Sequence, residues 1–213
     1  MILAIPDHDL KYVNFFKKKR EIENVISTIK KLSFFIFYDS SLKVCFDSND
    51  ENFQTFLNNF MNIYPVKYEE YRDLIPYGYE LFFKRSYIFP LDPGIDIASF
   101  ISNFIEQNKK GFFMIKIERK NIRFSKFIIH ILRNKRNLGY REKIIANAII
   151  EKITLPLYKV KIYTSDFGIA SMAIDLTTGQ ALIRKGKKII MSVKEISYFI
   201  HYPLSYNGRR KPW

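Results

Sequence analysis

Fifteen Lys or Arg residues lie between Lys109 and Lys161, against only Glu118, Glu142 and Glu151. Cationic side chains at this density neutralise phosphates and release the counterions condensed on them, a favourable and sequence-independent contribution to binding. Lys109, Lys110, Lys116, Arg119, Lys120, Arg123, Lys126, Arg133, Lys135 and Arg136 are therefore candidate nucleic-acid contacts, and Arg209, Arg210 and Lys211 form a second basic cluster. An acidic protein partner would answer the same charge. The 213-residue chain has a net charge of +14, most of it in this one segment, which favours a patch over a diffuse coat. A lysine-rich surface that serves only solubility is the plainer alternative.

Other reactive groups are sparse. Glu118-Arg119-Lys120 closes a strand-like run, Asp96 precedes a helical stripe, and Glu21 and Glu23 lie in the first helical pattern. Cys45 is the single cysteine, and His8, His130 and His201 are far apart, so neither a disulfide framework nor a zinc site is expected. The chain has no G-x-x-x-x-G-K-[ST], G-x-G-x-x-G or G-x-S-x-G, which excludes the common nucleotide-binding loops and the nucleophile elbow. His201, beside Tyr202-Pro203, reads as a helix-end residue that packs or caps.

The elements that must position these groups follow from periodicity. Val13, Phe16, Ile22, Val25, Ile26 and Ile29 form one stripe of a helix between Asp9 and Leu32. Residues 34–38 and 42–46 read as a hairpin about Asp39-Ser40-Ser41. Ser48 and Glu51 have capping-box spacing before a stripe of Phe53, Phe56, Leu57, Phe60 and Met61, which Tyr64-Pro65 ends. A strand is expected over 80–89. Asp92-Pro93 then reads as a cap with proline at the first helical position, followed by Ile97, Phe100, Ile101, Phe104 and Ile105. Gly111 restarts the chain as a strand over 112–118. The basic helical segment 124–153 breaks near Asn137-Leu138-Gly139. A strand over 157–163, a hairpin of 169–176 with 181–185 about Thr177-Thr178-Gly179, a strand over 189–191, and a helix with a Ser192/Glu195 capping box complete the pattern.

This order is an α+β plan of two successive strand-helix-strand blocks, which two ferredoxin-like lobes with shared or abutting sheets would satisfy, ending in a hairpin and a short helix. The blocks divide as 1–90 and 91–204, with 205–213 as a flexible basic tail. At 47% hydrophobic residues the chain can bury a real core. No apolar run reaches the length of a membrane span, and Asp7 and Asp9 interrupt the apolar start before it resembles a signal peptide. A cytoplasmic protein is expected, peripheral at most to a membrane complex.

Four landmarks occur in one order: Tyr64-Pro65 followed by Tyr71-Arg72-Asp73; Asp92-Pro93 and then Gly111; Lys152-Ile153-Thr154-Leu155-Pro156-Leu157-Tyr158-Lys159-Val160; and Glu195 to Pro203. The order resembles the amino-terminal, non-motor region of the conjugation and type IV secretion ATPases of the HerA-like and FtsK-like group. There a Y-P, a D-P helix start, a K-L-x-K-P-L-F-x-V strand and an E-L-A-x-L-x-H-L-P helix precede the motor. Tyr202 departs from that pattern, standing where the family has leucine, and the chain reaches Trp213 without Walker motifs. The resemblance implies a docking and assembly domain without ATP hydrolysis, with a motor ATPase or channel component, DNA or further copies of itself as partners. It carries over no catalytic residue and no cofactor. A second resemblance, to PD-(D/E)XK nucleases of the archaeal Holliday-junction resolvase type, rests on Asp96 and the E-x-K of Glu118 and Lys120. It implies Mg²⁺ held by Asp96 and Glu118, charge stabilisation by Lys120, and an extra carboxylate from Glu21 or Glu23.

Overall fold

The computed structural model describes residues 1–6, 14–72, 78–121, 125–134, 138–166, 168, 173–175 and 177–203, with the backbone alone at 39, 125 and 126. The strands are β1 (Ile2–Pro6), β2 (Lys31–Asp39), β3 (Ser41–Asp47), β4 (Val66–Glu70), β5 (Tyr79–Phe83), β6 (Phe112–Arg119), β7 (Leu157–Thr164), β8 (Leu182–Ile183) and β9 (Ile189–Ser192). The helices are α1 (Phe15–Ser27), α2 (Phe53–Ile63), α3 (Ile97–Gln107), α4 (Ser125–Asn134), α5 (Tyr140–Thr154) and α6 (Val193–Ile196). All strand pairs are antiparallel, and the sheet runs β4-β1-β3-β2-β6-β7-β5-β8. The expected α+β class is the observed one.

β7 divides its outer edge, giving Leu157–Val160 to β9 and Ile162 to Thr164 to β5. Strands from before and after residue 90 also share the sheet, because β2 pairs with β6 and β5 with β7 and β8.

Side-chain alternation gives the sheet two unlike faces. Phe34, Ile36, Val44, Phe46, Phe113, Ile115, Ile117, Val160 and Ile162 enter the main core with Ile22 and Ile26 of α1, Phe56 and Phe60 of α2, and Ile101 and Ile105 of α3. Phe46 is central, its ring 4.9 to 5.5 Å from those of Phe34, Phe56 and Phe60. Burial of each such side chain contributes about 1.5–3 kcal/mol. On the opposite face a smaller cluster of Phe35, Cys45, Phe112 and Met114 gathers Leu3, Phe37, Tyr71 and Tyr163 around it.

Several local signals form as expected. Ser40 takes φ of 58° between β2 and β3, Gly111 takes φ of 121° before β6, and the basic helical segment is interrupted between α4 and α5. Ser192 and Glu195 make the reciprocal capping box of α6.

Others form differently. Ser48 does not cap α2: its hydroxyl donates to the Lys31 carbonyl and accepts from Asp50 N–H, and α2 starts after Asn52. Asp50 instead accepts from the Lys30 and Lys31 amides, tying the start of β2 to this loop. Helix α3 begins four residues beyond Asp92-Pro93, because Asp96 is the cap, its carboxylate accepting from Ser99 N–H at 2.9 Å. The strand expected over 80–89 ends at Phe83. Gly179 (φ 65°) turns the chain as expected; residues 169–172 and 176 of the expected first arm lie outside the described residues, and among the described ones only Ile174 and Ala181 bridge across the turn, while β8 pairs with β5. β1 and β4, which pair with each other, have no counterpart in the sequence reading.

Candidate nucleic-acid interface

The second sheet face becomes polar at one end. Register places Lys116 of β6 directly opposite Lys161 of β7 and, on its other side, opposite Ser33 of β2. In the next row Glu118 stands between Lys31 of β2 and Lys159 of β7. The strand pattern explains the exposure: in β7 the inward Tyr158, Val160 and Ile162 alternate with Lys159 and Lys161, so both ammonium groups face solvent. With Asp47, Ser48 and Asn49 at the rim, these side chains line an open cleft of about 480 Å³.

The electrostatics are unbalanced. Glu118 reaches Lys31 at 3.8 Å, and Asp47 faces the amino terminus at 3.8 Å. The Lys116–Lys161 juxtaposition places like charges side by side, which destabilises a sheet relative to a neutral or opposite pair. The face can therefore hold an anion between strands, with hydroxyl and amide donors from Ser33 and Asn49 beside the ammonium groups.

The other basic residues are distributed. Lys109 and Lys110 are exposed at the turn before β6, at the far end of that strand from Glu118. Arg119 turns to the helix-covered side, where its guanidinium donates to the Ser27 carbonyl. Lys120 is exposed just past β6, with its amide donating to the Leu157 carbonyl, and Arg133 is exposed on α4. Arg123, Lys135, Arg136, Arg209, Arg210, Lys211 and the Lys126 side chain lie outside the described residues. Lys159 and Lys161 fall within the basic segment that the sequence points to but are not among its individually named candidates, and Lys31 lies outside it. The signal available for them was the alternation of Lys159 and Lys161 with buried neighbours, but Lys31 joins them only through the β2–β6 register.

Asp96, Glu118, Lys120, Glu21 and Glu23 are not gathered into one site, although Asp96 and Glu21 both lie near Tyr64. Asp96 belongs to the helix-covered side: its Oδ2 accepts from the Ser99 hydroxyl at 2.7 Å, and its Oδ1 is 2.8 Å from Nε2 of His201, whose ring stacks on Phe15. Burial pushes the Asp96 carboxyl upward, but the charge and hydrogen bond of His201 and the bonds from Ser99 hold it below its ordinary value. Glu118 is on the open face. Glu21 pairs with Lys18 at 2.9 Å, and burial on α1 raises the Glu23 carboxyl despite nearby Lys19. Among the described residues no group of three His, Cys, Asp or Glu side chains is placed to hold a metal ion.

A second charged cluster joins segments distant in sequence. Lys152 of α5 donates to Glu195 Oε1 at 2.9 Å, with both side chains buried, and the same oxygen accepts from Leu91 N–H at 2.7 Å. Glu195 Oε2 accepts from Ser192 N–H, and the Tyr198 hydroxyl donates to Asp92 at 2.5 Å. Lys19 lies 3.6 Å over the Tyr198 ring. Burial pushes the Lys152 ammonium below its ordinary value against the pull of Glu195. With every acceptor site of the Glu195 carboxylate engaged, the arrangement fastens α5, α6 and the loop around Asp92 together.

Compared with known proteins, the chain matches no family model, no curated protein and no solved structure.

Proposed function

We propose that the protein is a non-enzymatic docking component of a secretion or DNA-transfer machine that holds nucleic acid on its open sheet face. The observation that carries the binding role is the direct opposition of Lys116 and Lys161 on an uncovered face, flanked by Lys31 and Lys159. Such opposition costs the sheet stability when the face is empty and is relieved when phosphates sit between the ammonium groups. The machine itself is inferred from the order of the landmark segments. Three of those segments, around Asp92, Lys152 and Glu195, meet in the buried network just described, so they act as one structural unit. A motor ATPase or channel component is the expected protein partner at the cytoplasmic side of a membrane.

Filter binding of duplex and single-stranded oligonucleotides across a salt series tests the binding role. Four lysine–phosphate contacts predict a log–log slope of about −3 to −4. The Lys116→Glu/Lys161→Glu double substitution should weaken binding uniformly across sequences and make the slope shallower by about 2. A slope near zero, or a double variant that binds as the wild type does, overturns the reading.

A further inference from the structure

Helix α4 has an unusual environment. Of its side chains from Phe127 to Asn134 none is buried, although five of the eight are Phe, Ile or Leu. Phe127 is 62% exposed and Ile131, one turn later, 48%. Helix α5, onto which α4 folds back, repeats the pattern at its start, with Tyr140 84% exposed and Ile144 one turn on also exposed. The rest of α5 is ordinary, burying Ala146, Ile149 and Ile153. Large apolar side chains in this number are normally covered.

The charges indicate what covers them. Arg133, Arg141 and Lys143 are exposed on the same two helices. Glu142 is the acidic residue nearby, and its carboxylate is already engaged as an acceptor from Gly139 N–H at 3.0 Å. A second copy of this surface would set cation against cation. Aliphatic and aromatic side chains interspersed with arginine and lysine instead match the boundary of an anionic lipid bilayer, where the apolar groups enter the acyl region and the cations meet headgroup phosphates. Tyr140 suits that boundary, with an apolar ring and a polar tip.

We propose that the α4–α5 hairpin is a membrane-surface contact that inserts Phe127, Ile131, Tyr140 and Ile144 into an anionic leaflet. No described helix is long and apolar enough to cross a membrane, so the contact is interfacial. No residue of α4 or α5 lines the lysine-rich cleft of the sheet face.

The test is co-sedimentation with phosphatidylcholine vesicles made with and without phosphatidylglycerol. The wild type should sediment with the anionic vesicles, less so as salt rises, and not with phosphatidylcholine alone. Phe127→Ser/Ile131→Ser should lower the partition coefficient about tenfold or more. Both positions are exposed, so an unchanged circular-dichroism melt will show that the fold persists. Lys116→Glu/Lys161→Glu should sediment as the wild type does. Equal partitioning of the serine variant, loss of vesicle binding in the sheet-face variant, or a concentration-dependent dimer abolished by the serine substitutions would each overturn the proposal.

Discussion

Lys152 Nζ and Glu195 Oε1 lie 2.9 Å apart with both side chains almost wholly withdrawn from solvent, and this pair links α5 to α6. A buried pair of this kind contributes little over an apolar replacement, but loss of one partner strands a charge. Lys152→Ala should therefore cost about 3–5 kcal/mol in urea unfolding. A loss comparable with that of an exposed lysine substitution would show that the pair carries no such weight.

The sheet-face lysines predict opposite effects on stability and binding. Lys161→Glu converts the opposition with Lys116 into an attractive cross-strand pair. It should raise stability by about 0.2–1 kcal/mol while weakening nucleic-acid binding. Thermal melts and filter binding on one sample check both signs. A drop in both would mean that Lys161 supports the fold rather than a ligand.

Asp96 predicts an acid dependence. Its carboxyl is held below the ordinary value of 3.8, chiefly by His201 and Ser99 overcoming the upward push of burial. A depressed folded-state value means stabilisation that is complete above the unfolded value and lost as pH falls through the folded one, hence below about pH 4. Asp96→Asn keeps a capping oxygen but removes the charge facing His201. The variant should be less stable at neutral pH by about 1–3 kcal/mol, and the gap should close in acid. A constant gap across the pH range would count against this.

Cys45 is buried on β3, and burial pushes its thiol up to about 12 against the weaker pull of the amino terminus and Lys43. The thiolate is the reactive form, so a disulfide reagent should label the native protein slowly and the denatured protein at once. Rapid stoichiometric labelling of the native state would contradict the burial.

What could be read in the sequence was local. The turn at Ser40, the restart at Gly111, the break between α4 and α5, and the Ser192/Glu195 box each depend on residues within a few positions, so spacing alone reveals them. Pairing over long separations hid the rest. β1 and β4 are the clearest case, since Ile2 pairs with Glu70 across two strands and two helices of intervening chain. Ser48 and Glu51 had the right spacing for a box, but the Lys31 carbonyl competes for the hydroxyl from seventeen residues away. For the binding face, the sequence carried the excess of charge but not its division. Lys116 shares a face with Lys31 and Lys161 through register, while Arg119, three residues on, turns to Ser27.

The divided edge of β7 also bears on the order of assembly. β7 and β9 are separated from β2 and β3 by most of the chain, yet β7 seals β6, which in turn seals β2. A nascent chain that has reached only β6 leaves that strand's hydrogen-bonding edge open, with Phe113, Ile115 and Ile117 beside it. Closure waits on contacts distant in sequence, the topology associated with slow folding. Until β7 pairs with it, that open edge is a template for the wrong strand.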